Sequence, residues 1–240
     1  MAKGVYAALS GAVAAETALD TVAQNLANGS SEGYRRLRPV FREALANAEP
    51  EQRPGSNRFA LVASTAIDTT PGVIKSTGRD LDAVLPEGAF FAVSTPQGER
   101  YTRAGSIQID ATGAMQVGGG QLVDDGGEPL RAPENAAISL TPDGQVMADG
   151  QSIGRLRIVK FETPSALVPE GKSLYAASAQ SGTAAVAEGE LTIGAVEESN
   201  ASTVDSMTDM IKSTRLFDSY QRAIDAFFDL DRRITSSMNG

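Results

Sequence analysis

A chain of 240 residues, 41% of them hydrophobic, can bury a real core in one or two domains. It contains no cysteine, which excludes a disulfide framework, thiolate catalysis and zinc-thiolate sites, and no histidine, which removes the commonest general base and metal ligand near neutral pH. The net charge of −9 argues against nucleic acid as a partner, because proteins that bind it present basic fields.

Val5, Leu9, Ala12, Glu16, Leu19, Ala23 and Leu26 recur with 4-3 spacing, which predicts an N-terminal helix with an Ala-rich stripe. Val13 and Val22 lie beside the stripe, so apolar contacts are expected on more than one side. Asn28-Gly29 ends the pattern with residues that tolerate a left-handed helix C-cap, and Ser30-Ser31-Glu32-Gly33 turns the chain. Met1 to Ala15 also fits a secretory leader, with Lys3 before a small apolar run. Glu16 and Asp20 continue the same helical phase, and the run is Ala-rich where a leader is Leu-rich, which favours the helix. No stretch approaches the roughly 20 apolar residues of a spanning helix, so no membrane insertion is expected.

Arg35, Arg36, Arg38 and Arg42 form a basic cluster, read as a solvated junction or as ion pairs with neighbouring subunits in preference to a phosphate site. Pro39, Pro50 and Pro54 make residues 37–75 an extended linker.

Residues 76–198 are written in short strands and turns, and residues 59–198 hold 18 of the 24 glycines. Gly88 to Val93, the turn Thr95-Pro96-Gln97-Gly98 and Arg100 to Arg103 predict one hairpin; Ser106 to Asp110, Thr112-Gly113 and Ala114 to Val117 predict another. Further strands are expected at Ala137 to Leu140, Gln145 to Met147 and Arg155 to Phe161. Asp124-Asp125-Gly126-Gly127-Glu128 lacks the alternating spacing of a calcium loop and reads as a turn. Gly118-Gly119-Gly120 follows a strand but opens no helix, so it is not a phosphate loop. Asn28 and Asn200 begin formal glycosylation sequons but are taken as helix caps.

Ala195 to Asn239 contains neither Gly nor Pro. Met210, Phe217, Ile224, Asp231 and Met238 recur every seven residues, with Ser213, Tyr220, Phe227 and Ile234 interleaved, as in the seam of a coiled coil. A helix this long cannot bury itself along a 240-residue globule, so another helix must cover it. The fold class is therefore α+β: long N- and C-terminal helices (1–36 and 199–240) paired in coiled-coil fashion, with an inserted β-rich domain (76–198). Charge follows this division. Residues 1–58 hold seven basic and six acidic side chains and residues 199–240 five and six, whereas 59–198 hold nine and eighteen. The ends are suited to packing and the centre to solvent.

Leu19 to Asn28 followed by Gly33-Tyr34-Arg35-Arg36 resembles the N-terminal signature of bacterial flagellar rod and hook proteins. Tyr101-Thr102-Arg103-Ala104-Gly105-Ser106, and Gly189-Glu190-Leu191 through Glu198-Ser199-Asn200 with Met207 to Ile211 and Arg215-Leu216-Phe217, are similar to its central and C-terminal motifs. The order is right over nearly the whole chain. The family's Asn-Thr-x-Gly-Tyr/Phe junction is replaced here by Gly29-Ser30-Ser31-Glu32 before Gly33. Within the family, the length, the single compact centre and Val5 to Gly11 fall nearest the proximal rod members, with the distal rod members next.

The resemblance implies a structural subunit, not an enzyme, without catalytic, cofactor or metal residues. Terminal helices would pack around an export channel in a periplasmic basal-body rod that carries motor torque. The implied partners are copies of the chain, adjacent rod proteins and the type III export apparatus, through which such proteins leave without a cleaved leader. Subunit packing is expected at Val5, Leu9, Leu19, Val22, Asn25, Leu26 and Asn28 on the first helix, at the junction Gly33 and Tyr34, and at Met210, Phe217, Tyr220, Ile224, Phe227 and Ile234 on the last. The residues alone also admit a secreted β-rich adhesin with a helical stalk, or a glycosidase built on two carboxylates facing one cleft.

Overall fold

The computed structural model describes residues 2–45 and 58–238. They fall into two compact units, and each contains more than one stretch of chain.

The first unit takes Met1–Ala27, Leu37–Thr65 and Thr203–Gly240. Its helices are α1 (Ala2–Ala27) and α2 (Thr203–Met238). At about 1.5 Å per residue, the 36 residues of α2 span roughly 54 Å. α1 is rich in Ala, the best helix former, and stops where Asn28-Gly29 begins. α2 opens with Asp205 in its first turn, where an acidic side chain complements the positive end of the helix dipole. The two helices pack on one another and run antiparallel, since Gly4 faces Phe227 and Gly11 faces Tyr220.

Where an extended linker was expected, Leu37–Leu45 and Arg58–Ile67 instead pair as a two-stranded sheet. Pro39 is tolerated there because a strand in a pair has a free side that needs no N–H. Pro50 and Pro54 lie outside the described residues.

The second unit takes Asn28–Arg36 and Ala66–Ser202. Its main sheet has nine strands. Along the central path they run Val168–Gly171, Leu174–Ala176, Gly98–Thr102, Ala89–Thr95, Gly120–Leu122, Met115–Val117 and Gln108–Ile109. Ile158–Lys160 joins at Ala89–Thr95, and Ala185–Val186 pairs with it in turn. Ala89–Thr95 is the strand most deeply enclosed, which explains its unbroken apolar run: Ala89, Phe90, Phe91, Ala92 and Val93 are all buried. Around it Ile107, Met115, Leu122, Val146 and Leu156 complete the core.

The expected hairpins are present. Thr95 pairs with Gly98 across a two-residue turn, Ile109 with Met115, and Leu140 with Val146. The Gly118-Gly119 step is another tight turn, closing Val117 onto Gly120, and both glycines take positive φ. Arg155 to Phe161, expected as one strand, divides. Leu156 bridges to Asp124, so Gln151–Arg155 belongs to a separate three-stranded sheet while Ile158–Lys160 joins the main one. Asp124 forms the expected turn, its Oδ1 accepting the N–H groups of Gly126 and Glu128. Two short ladders finish the unit: Ala83–Val84 with Thr192–Ile193, and Ile74–Ser76 with Ala195–Glu197.

Candidate assembly site

Within the helical unit, the seam expected on α2 is the face that packs. Met210, Ser213, Phe217, Tyr220, Ile224 and Phe227 are half-buried, while their flanking positions Ile211, Lys212, Arg215, Leu216, Asp218 and Arg222 are exposed. Ile234, at the far end, is exposed. The side chains of Asp231 and Met238 lie outside the described residues.

On α1 the packed stripe stands one residue away from the expected one. Gly4, Ala8, Gly11 and Ala15 face inward, not Val5, Leu9, Ala12 and Glu16 as a set; only Ala12 of that set is buried. The reason is volume. α2 contributes large rings, and a Cβ on Gly11 would lie 2.4 Å from Tyr220 Cε1, while one on Gly4 would lie 2.8 Å from Phe227 Cζ. Rings of that size approach a helix only where it has no side chain, so the smallest residues face the largest.

The opposite face of α1 is left apolar and bare: Tyr6 is 63%, Leu9 49% and Val13 52% exposed. Val204, Met207 and Ile211 do the same on α2. Among the other expected packing residues, Val5, Leu19, Val22 and Leu26 are half-buried. Asn25 is buried and clamps its own chain: its amide donates to the Leu37 carbonyl at 2.9 Å and its oxygen accepts the Leu37 N–H at 2.8 Å. That pairing fixes where the strand Leu37–Leu45 leaves the helix.

Within the β unit, the segments that carry the resemblance converge on one carboxylate. Glu197, at the end of Ala195–Glu197, is 2% exposed and lies 2.7 Å from both Arg35 Nη2 and Arg103 Nη2. The two guanidiniums are also buried and are held by backbone carbonyls as well. Arg103 donates to Leu85, Pro86 and Ala89, and Arg35 donates to Thr70. Glu197 Oε1, the oxygen that faces Arg35, also accepts the Gly72 N–H at 2.7 Å. Arg103 stacks 5.7 Å above the Phe90 ring, which packs edge-on against Phe161 and Tyr175. Burial, with Arg103 beside it, draws the Arg35 guanidinium below its usual pKa, against the opposing pull of Glu197.

The residues flanking Arg35 are held in the same way. The Arg35 N–H donates to the Tyr175 hydroxyl at 2.9 Å; burial pushes that phenol up to about 12, and it stays neutral at any physiological pH. Burial likewise raises the pKa of Tyr34. Asn200 is no helix cap. Its Oδ1 accepts the Arg36 N–H at 2.6 Å, and its amide donates to the carbonyls of Asp68 and Thr70. The basic cluster therefore splits: Arg35 is a buried ion-pair donor, not a solvated charge.

Gly33 is required at its position. It has φ +65°, its N–H donates to the Glu197 carbonyl at 2.8 Å, and a Cβ would lie 2.2 Å from the backbone of Arg103 and Ala104. Gly33→Ala is expected to cost about 2–4 kcal/mol through strain and overpacking. The check is the urea midpoint of the purified protein, which should fall with little change in slope. An unchanged midpoint would show that the junction has room to relax.

An open cleft of about 530 Å³ in the same unit is lined by Ser30, Ser31, Glu32, Gln108, Gln116 and Lys172, among others. Glu32 is the only carboxylate among the lining residues, so this cleft lacks the pair that glycoside hydrolysis requires. Among the described residues no group of three potential metal ligands is gathered, and no helix is long and apolar enough to cross a membrane.

A small-into-large helix pair whose outer apolar faces lie open, with a β unit whose chain ends are pinned by buried charge, defines a structural assembly subunit. Sequence comparison gives the family. The Flagellar hook protein FlgE/F/G D1 domain matches residues 87–148, and the Flagellar basal body rod FlgEFG protein C-terminal domain matches residues 193–237. The flagellar basal-body rod protein FlgG of Bacillus subtilis is 31% identical, covering 93% of this chain and 94% of its own. FlgF of Escherichia coli is 32% identical with 95% of each chain covered, and FlgF of Salmonella typhimurium 32% with 93% of each. The chain belongs to the flagellar basal-body rod family, and it is a structural, non-enzymatic subunit.

Proposed function

We propose that the chain is a proximal rod subunit, assembling with further copies and with adjacent rod proteins into the drive shaft that crosses the periplasm and encloses the export channel. The observation that carries assembly is the bare apolar stripe Tyr6, Leu9 and Val13 on a helix whose other face is already filled by α2. An exposed stripe of this kind is stable in water only when another surface covers it. Head-to-tail contacts that do not close give a helical tube, and dense small-residue packing resists twist. Delivery would use the flagellar type III export apparatus.

Proximal placement draws on the chain length, the compact β unit and the similarity to FlgF proteins over more than nine-tenths of the chain. The distal reading is supported by a FlgG protein at 31% identity. Complementation separates them. In a flagellated host, the chain is expected to restore swimming to a strain deleted for the proximal rod gene and not to one deleted for the distal gene. The reverse pattern would place it in the distal rod.

A further inference from the structure

We propose that Gly4 and Gly11 are specificity-determining residues of the helix pair: two notches, one heptad apart, that receive the Phe227 and Tyr220 rings and so select the register and rotation of α1 against α2. The inference rests on the rod reading above in one respect, that the face of α1 left outside is the face a second copy covers.

Four observations carry it. Both glycines lie inside a helix, where glycine is unfavourable relative to alanine, so a packing demand must outweigh propensity. Both would-be Cβ atoms fall closer than 3.0 Å to an aromatic ring, and neither glycine needs a positive φ, so space and not backbone conformation excludes a side chain. The two contacts obey one antiparallel register, since Gly4 to Gly11 and Phe227 to Tyr220 are each seven residues apart. Ala8 and Ala15, which complete the stripe, are buried.

Register selection follows from the spacing. Sliding α2 by one heptad in one direction sets Tyr220 against Ala18, whose methyl occupies the space the ring needs. Sliding it in the other direction carries Phe227 beyond the first residue of α1. Only the observed register gives both rings a glycine. Rotation is selected too: with Gly4 and Gly11 inward, Tyr6, Leu9 and Val13 are necessarily outward. Turning α1 by one position would bring Leu9 inward and withdraw it from a neighbouring copy.

Gly11→Ala gives the sharpest test, because the two explanations predict opposite signs. Helix propensity alone would raise the melting temperature of the helical circular dichroism signal of the purified full chain, whereas a filled notch lowers it. The notch also predicts a roughly ten-fold fall in recovery of the protein with isolated basal bodies for Gly11→Ala and Gly4→Ala. On a Tyr220→Ala background, Gly11→Ala should lower the melting temperature and the recovery no further, since the methyl then meets no ring. Gly11→Ala melting at or above wild type overturns the proposal, as does an undiminished loss from Gly11→Ala on the Tyr220→Ala background. If the melting results hold but wild type fails to restore motility to any rod-deleted strain, the notches stand as the packing device and the rod reading falls.

Discussion

Glu197→Ala is expected to destabilise the β unit by about 3–5 kcal/mol, because it leaves two buried guanidiniums facing one another without their shared counter-charge. At about 2–4 °C per kcal/mol for a domain of this size, the melting temperature should fall by roughly 10 °C. The neighbouring Glu198→Ala is the control. Glu198 pairs with Lys75 at 3.7 Å with both side chains largely exposed, and such pairs contribute at most about 1 kcal/mol. Thermal melts of the two variants, followed by far-ultraviolet and tyrosine near-ultraviolet circular dichroism, decide it. Equal midpoints would mean that Arg35 and Arg103 are sufficiently satisfied by the carbonyls of Thr70, Leu85, Pro86 and Ala89.

The functional weight of this triad comes from where its members sit in the chain. Arg35 lies in the segment that follows α1, Glu197 in the segment that precedes α2, and Arg103 at the end of a core hairpin. One carboxylate thus ties the segment that follows α1 and the segment that precedes α2 to the end of a core hairpin. Charge-assisted bonds in a dry site are directional where apolar packing is not.

The second large effect is on the helices. Phe227→Asp and Ile224→Asp each remove a half-buried apolar side chain, a loss of roughly 2 kcal/mol, and add the cost of desolvating a carboxylate against α1. Both are expected to abolish motility and recovery of the protein in basal bodies. Arg222→Asp and Asp229→Ser change exposed positions and should be milder. In all four variants the tyrosine near-ultraviolet signal of the β unit should persist. Normal swimming by the seam variants with loss in the flank variants would show that another face of α2 carries the contacts.

These expectations differ in how far the sequence anticipated them. The α2 seam was legible because it repeats Met210, Phe217 and Ile224 at one spacing and Ser213, Tyr220 and Phe227 at the other, with charges on both flanks. The hairpins were legible because Pro96-Gln97 and Thr112-Gly113 are local turn chemistry. Which face of α1 meets α2 was not legible, because Val5 and Leu9 are the larger apolar residues of the helix while its partner packs on the smallest, Gly4 and Gly11. No property of α1 alone shows that its glycines face rings.

The sequence by itself determined what depends on near neighbours along the chain: two terminal helices, a turn-rich β centre, the absence of thiol and imidazole chemistry, and the family motifs. Periodicity, propensity and turn formation act over a few residues, so they survive reduction to a string. Tertiary structure decided the pairings between distant residues. It brought Arg35, Arg103 and Glu197 to one point, paired Leu37–Leu45 with Arg58–Ile67, turned Asn200 from a cap into a bridge, and chose which face of α1 stays outside. Each of those outcomes depends on the volume or charge presented by a partner more than ten residues away along the chain, and that information exists only once the chain has folded back on itself.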